Sequence, residues 1–382
     1  MYKVKLDGDY IYHPWSENLS ITSGKLTQEL NKNGSFDFGI TPKNPRFADI
    51  KRRKSIVEVI RFAPGAGEEV IYRGCCLNDT DTMDWKREIQ TDGDLMFLSD
   101  SVIRPYEMTG TPSERLNYLI GQHNSQVDDF KKFQMVTVSA VSDVKQRKQT
   151  EYCDTRTELD KLIEDFGGRI KTRVAKDGTI CIDYLFDQDE HEQALRIGEN
   201  IIDITRHVKS EEIVTRVIPL GTSYDGVPTT IASVNNGLDY IQDDEAINEF
   251  GIITKAVEFP DIDVPSQLLQ AGKDYLASRA AASITIELTA VDLADMGADI
   301  EAINVGDWVP CVAEAFGIKM TMQASKKVTD LLKPNNSKIT LGSVLSTYTR
   351  TQLGINSVTN MKFKNPSEIK AITTEEIDNI CK

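Results

Sequence analysis

Alternation of apolar and polar side chains governs the first hundred residues. It is visible in 1-MYKVKL-6, 37-DFGI-40, 55-SIVEVIRF-62, 69-EVIYRGCCL-77 and 86-KREIQT-91, with Gly, Pro, Asn and Asp between them. A period of two predicts strands, and the short spacers predict the turns of a small antiparallel barrel or sandwich. From residue 105 the period changes. In 111-TPSERLNYLIGQHN-124, Thr111, Pro112 and Glu114 have the spacing of a capping box, and Leu116, Leu119 and Ile120 form one helical stripe. Thr155 and Glu158 repeat that spacing before Leu159, Leu162, Ile163 and Phe166, and Gly167 ends the run. The following 169-RIKTRVAKDGTICIDYLF-186 reads as two strands around an Asp177-Gly178 turn. A helix packed on a hairpin makes a compact α+β insert.

Strand periodicity returns from about residue 204. It is carried by 213-IVTRVIPLG-221, 284-ITIELTA-290, 307-DWVPCVA-313, 319-KMTMQASKKV-328 and 338-KITLG-342, and interrupted by a helix after Val264-Pro265 bearing Leu268, Leu269, Tyr275 and Leu276. The fold class expected is α+β, mostly β. Its expected divisions are 1–104 (first β-barrel), 105–203 (inserted α+β domain), 204–350 (second β-barrel with a helical and loop insertion around 222–282) and 351–382 (C-terminal tail or terminal helix). A loose likeness between the strand patterns of the first and last regions is consistent with two related barrels.

Composition narrows the function. A net charge of −15 argues against tight nucleic-acid binding, which draws its affinity from Lys and Arg displacing counterions. The basic run 51-KRRK-54 leads straight into a strand and reads as its solvated entrance. Six cysteines (Cys75, Cys76, Cys153, Cys181, Cys311, Cys381) lack CxxC spacing and read as reduced thiols. No apolar run is long enough to span a bilayer, and the expectation is a chain made in the cytoplasm.

Candidate chemistry is sparse. The histidines His13, His123, His191 and His207 stand apart, with no HExxH or HxH, and 187-DQDEHEQ-193 reads as a solvated loop. GxSxG, GxxxxGK and GxGxxG are absent, and 63-APGAGEE-69 fits a hairpin loop. A carboxylate pair for glycoside hydrolysis, and a Cys/His pair assembled in space, stay open because only the fold sets their geometry. The densest acidic stretch lies within 283-SITIELTAVDLADMGADIEAINVGDWVPCVAE-314. Asp292, Asp295, Asp299 and Glu301 do not follow the EF-hand order, and the expectation is a solvated connection between two strands. The expectation is therefore no catalytic, cofactor-binding or metal-binding residue, and no cofactor.

The ordered segments 33-NGSFDFGITPKNPRFADIKRRKSIVEVI-60, LDKLIEDFGGRIKTRVAKDGTICIDYL, GIITKAVEFPDI, ITIELTAVDLA, INVGDWVPCVAE and KKVTDLLKPNNSKITLGS resemble a known family. They are similar to phage tail-hub proteins of the prophage endopeptidase-tail group, seen also as the N-terminal region of tail-associated lysins. The resemblance implies a structural baseplate or tail-tip hub of a phage or prophage-derived tail, not an enzyme. Two tail-tube-like barrels per chain would give a homotrimeric ring around the tail channel. Implied partners are the distal tail protein, the tape-measure protein and tail fibre or spike proteins, with DNA only in transit and no membrane-spanning segment. The implied location is the virion tail tip. About thirty residues follow the last strand, so the chain is expected to be the hub without a lysin domain. Two rivals remain: a peptidoglycan-degrading tail endopeptidase, and a carbohydrate-binding adhesin using aromatics such as Tyr10, Tyr12 and Trp15.

Overall fold

Nine strands follow one another in a single antiparallel path. They are Lys338–Gly342, Ile318–Asp330, β3 (Ser23–Glu29), β4 (Ser35–Ile40), β7 (Arg87–Gly93), β6 (Gly67–Asp81), β5 (Ile56–Ala63), β1 (Tyr2–Leu6) and β2 (Asp9–Tyr12). The computed structural model describes residues 1–63, 67–139, 141–175, 178–186, 190–208, 213–224, 226–260, 262–282, 284–294, 300–313 and 318–342. The expected C-terminal tail 351–382 lies outside them. Along β4, Phe36, Phe38 and Ile40 point inward and are fully buried, as the alternation predicts. The path curls. Ile11 of β2 and Leu26 of β3 stand near opposite ends of it yet share one core with Val4, Phe36, Val59, Ile89 and Leu331. At the β2 edge, Asn44 donates from Nδ2 to the carbonyls of Ile11 (2.7 Å) and Ser20 (3.0 Å).

Strand β6 is long because it serves two partners, pairing first with β5 and then with β7, with a register shift between Cys76 and Asn78. Its buried Tyr72 donates to Thr91 Oγ1 (2.8 Å), which accepts from the Phe36 amide (3.1 Å) and donates to the Phe36 carbonyl (2.8 Å). Around this knot the backbone packs so closely that a Cβ at Gly93 would lie 1.8 Å from the Asn33 carbonyl oxygen. At the far end, Thr82 N donates to Lys86 O (2.9 Å) and Trp85 N to Thr82 O (3.1 Å), closing a tight loop between β6 and β7. Trp85 has φ +62°, the left-handed position such hairpin loops usually give to glycine. For a residue with a Cβ that conformation costs about 1–2 kcal/mol.

The region between residues 105 and 203 has its own sheet. Ile180–Leu185 is central, parallel to Phe133–Val138 and antiparallel to Arg169–Val174. Helix α1 (Pro112–Asn124) carries the expected capping box: Thr111 Oγ1 accepts from Glu114 N (3.3 Å), and Glu114 Oε2 accepts from Thr111 N (2.8 Å). Helix α2 (Thr155–Phe166) starts one residue earlier than the Thr155 and Glu158 spacing predicts. Asp154 caps it by accepting from Thr157 N (2.8 Å), because the Thr155 hydroxyl and the Glu158 carboxylate are turned inward to other partners. Both helices share a core with Leu98, Phe133, Ile182 and Tyr184. Gly178 has φ +88° in the turn of the hairpin; Asp177 lies outside the described residues.

Residues Met1–Ile202, Thr289–Pro310 and Thr321–Leu341 form one compact unit, and a second is built on Asp203–Leu288. In the second, Arg216–Leu220 pairs antiparallel with Ile241–Gln242 and parallel with Thr254–Glu258. The helix that the sequence predicts after Pro265 is Pro265–Ala282, with Leu268 and Leu276 buried. Among the described residues, no helix is long and apolar enough to cross a membrane.

Gly93→Ala tests the close packing around Tyr72. Overpacking costs about 1–3 kcal/mol, and a backbone oxygen in the way places this substitution at the upper end. Urea denaturation should show that loss; an unchanged midpoint would contradict the contact.

Candidate functional site

Asp292, at the start of the acidic stretch, is not the solvated residue that the composition around it predicts. Asp292 is 2% exposed and Lys327, on the strand Ile318–Asp330, is 5% exposed. Lys327 Nζ donates to Asp292 Oδ2 (2.6 Å) and to the Ile303 carbonyl (2.9 Å). Asp292 Oδ2 accepts also from Ile303 N (3.0 Å), and Oδ1 from Ala294 N (3.1 Å). In the amide orientation that matches donors to acceptors, Gln193 completes the shell by donating to Asp292 Oδ1 (3.1 Å) and accepting from Leu293 N (3.2 Å). Four fixed donors surround the carboxylate, so both charges are compensated away from water. A carboxylate held this way has no free lone pair for acid–base work. Glu301 is exposed, and Asp295 and Asp299 lie outside the described residues.

The most suggestive nucleophile geometry joins Ser101, His123 and Thr155. Ser101 Oγ is 2.7 Å from His123 Nδ1 and 2.7 Å from Thr155 Oγ1. The other imidazole nitrogen donates to the Lys131 carbonyl (3.0 Å), which leaves Nδ1 as an acceptor for the serine proton. Ser101 is 1% exposed and His123 fully buried, so no substrate reaches the pair. Burial lowers the His123 pKa, keeping the ring neutral. The cluster ties α1 and α2 to the segment after the 3-10 turn Asp94–Asp100. Nothing in the sequence brings these three residues together, since they are joined only by the packing of α1 against α2.

Glu158 is equally enclosed. It accepts from Arg147 Nη2 (2.6 Å) and Nε (3.2 Å) and from Tyr106 (2.8 Å). Burial alone would raise its carboxyl, yet the bonds from Arg147 and Tyr106 bring it below the usual range. Asp94 lies beside Arg73, but burial pushes its carboxyl up to about 6.

The remaining candidates are dispersed. His13 stacks edge-on with Tyr10 and Trp15, and His191 Nδ1 accepts from Gln193 N (3.0 Å); the His207 side chain lies outside the described residues. Burial pushes the Cys75 and Cys76 thiols up to about 11 and about 12, far from a nucleophilic thiolate. Cys153 is raised by burial and by Glu158, Cys181 and Cys311 are buried, and Cys381 lies outside the described residues. In 51-KRRK-54 the two arginines pair with Asp79 and Asp100, and Lys51 and Lys54 are exposed. Of the loop 63-APGAGEE-69, residues 64–66 lie outside the described residues; Glu68 and Glu69 pair with Lys3 and Arg61. Tyr12 packs on the main core, whereas Trp15 is 70% exposed against the rings of His13 and Phe62. Among the described residues, no three His, Cys, Asp or Glu side chains converge as metal ligands.

Two hollows open on the surface. One, of about 360 Å³, is lined by Ile50, Arg52, Cys76, Leu77, Asn78, Asp79 and Ile89. The other, of about 330 Å³, is polar and lies between the turn Asn33–Ser35 and Arg156 and Asp160 of α2. Neither contains a histidine.

Breaking the buried pair by Asp292→Leu or Lys327→Met leaves an uncompensated interior charge, and each substitution should lower stability by about 3–5 kcal/mol. The double variant Asp292→Leu with Lys327→Met should lose less than the sum of the two, which a denaturant double-mutant cycle measures. The pH response follows from His123. Its folded pKa lies below the unfolded value of 6.5, so its contribution is complete above that value and is lost as the pH falls from there. Asp94 acts with the opposite sign, its contribution being lost as the pH rises through about 6. The thermal midpoint of His123→Gln should therefore fall less than that of the unsubstituted chain between pH 7 and pH 5. Parallel profiles would contradict a buried neutral imidazole.

Comparison with known proteins gives a consistent result. Residues 188–352 match the prophage endopeptidase tail family. A search of curated proteins gives no match. Among solved structures, the tail protein from Neisseria meningitidis MC58 superposes with a TM-score of 0.61 at 14% identity, covering 91% of this chain and 98% of that one. The 43 kDa tail protein of prophage MuSo2 from Shewanella oneidensis gives 0.60 at 13%, covering 89% and 97%. Prophage tail protein gp18 from Listeria monocytogenes EGD-e gives 0.55 at 13%, covering 92% and 98%. These likenesses establish the fold. Residues 188–352 thus carry the sequence pattern of the prophage endopeptidase tail family, and the fold over most of the chain's length is that of solved phage tail proteins.

Proposed function

We propose that the chain is a structural hub at the tip of a phage or prophage-derived tail. It would act as a trimeric ring around the tail channel, joining the distal tail ring to fibre or spike proteins while the tape-measure protein and then DNA pass through. In this reading 1–104 and 204–350 supply two barrel-like modules per subunit, and 105–203 is the inserted α+β domain. The tail-protein fold, extending over about nine-tenths of the chain, carries the proposal. Its support from chemistry is that Asp292, Glu158 and His123 are each held by internal partners, which favours action through surfaces. The net charge of −15 suits a wall past which DNA slides without sticking.

The family's description names an endopeptidase, so peptidoglycan cleavage is the alternative to test. Zymography on bacterial cell walls should show no clearing. In the same preparation, electron microscopy with the neighbouring tail proteins should show three copies per ring. Clearing abolished by Ser101→Ala or His123→Gln would replace the structural reading with an enzymatic one, and a glycan array with specific hits lost on Trp15→Ala would favour an adhesin.

A further inference from the structure

We draw no further inference here: the strongest candidate, the exposed apolar tip of the β6–β7 hairpin bearing Met83 and Trp85, carries none, because nothing among the described residues shows what covers it.

Discussion

Lys327 fastens the C-terminal strands to the rest of the curled sheet. Its backbone pairs opposite Gln28 of β3, and its side chain turns inward to Asp292 and the Ile303 carbonyl. One residue therefore fixes a strand register and anchors the connection between residues 292 and 303. A slip of one position in that register would carry the ammonium to the opposite face of the strand and leave Asp292 buried without its cation. The pair adds little net stability over an apolar substitute, since desolvation offsets most of the attraction, but it penalises every wrong register. For a long antiparallel sheet assembled from segments some 300 residues apart in sequence, that selectivity is of more use than raw stability.

Local patterns made much of this architecture legible in the sequence. Alternation located β4 and β5 because one face of each is buried, and the Thr111 to Glu114 spacing located the start of α1 because capping is decided within four residues. The same rule misplaced the start of α2, where two adjacent residues could both cap. Asp154 took the role because the buried Ser101 and Arg147 claimed Thr155 and Glu158. The larger miss was Asp292. Its acidic neighbours suggested a solvated connection, whereas its partner lies 35 positions further on, a separation that no periodicity reports. The second lysine of the strand pattern ASKKV was the available signal, and it became interpretable only once the strand's inward face was known.

Charge is distributed in keeping with this. The basic run 51-KRRK-54 is drawn against Asp79 and Asp100, and Arg147 and Arg73 against Glu158 and Asp94. Cations are in the minority, 44 Lys and Arg against 59 Asp and Glu, and many are committed to internal or local partners, so the uncompensated charge is acidic. Such a surface repels polyanions and keeps copies of the chain apart at long range.

The hairpin tip inverts the rule followed inside the unit. In the interior every charged group discussed has found its partner, and Gly93 sits where only glycine fits. At the tip a tryptophan stands in the position suited to glycine, with its ring in water. Neither strain nor exposure helps an isolated chain fold, and the hydrogen bonds that stiffen the loop would form equally well around glycine. Local consistency between sequence and backbone is the ordinary condition of a folded protein, and departures from it collect where a surface has work to do with something else. The tip departs from that consistency in two independent respects at once, while the hydrogen bonds and ion pairs beneath it hold it still. Strain and exposure therefore coincide on Trp85, which sets the tip apart from the closely matched interior.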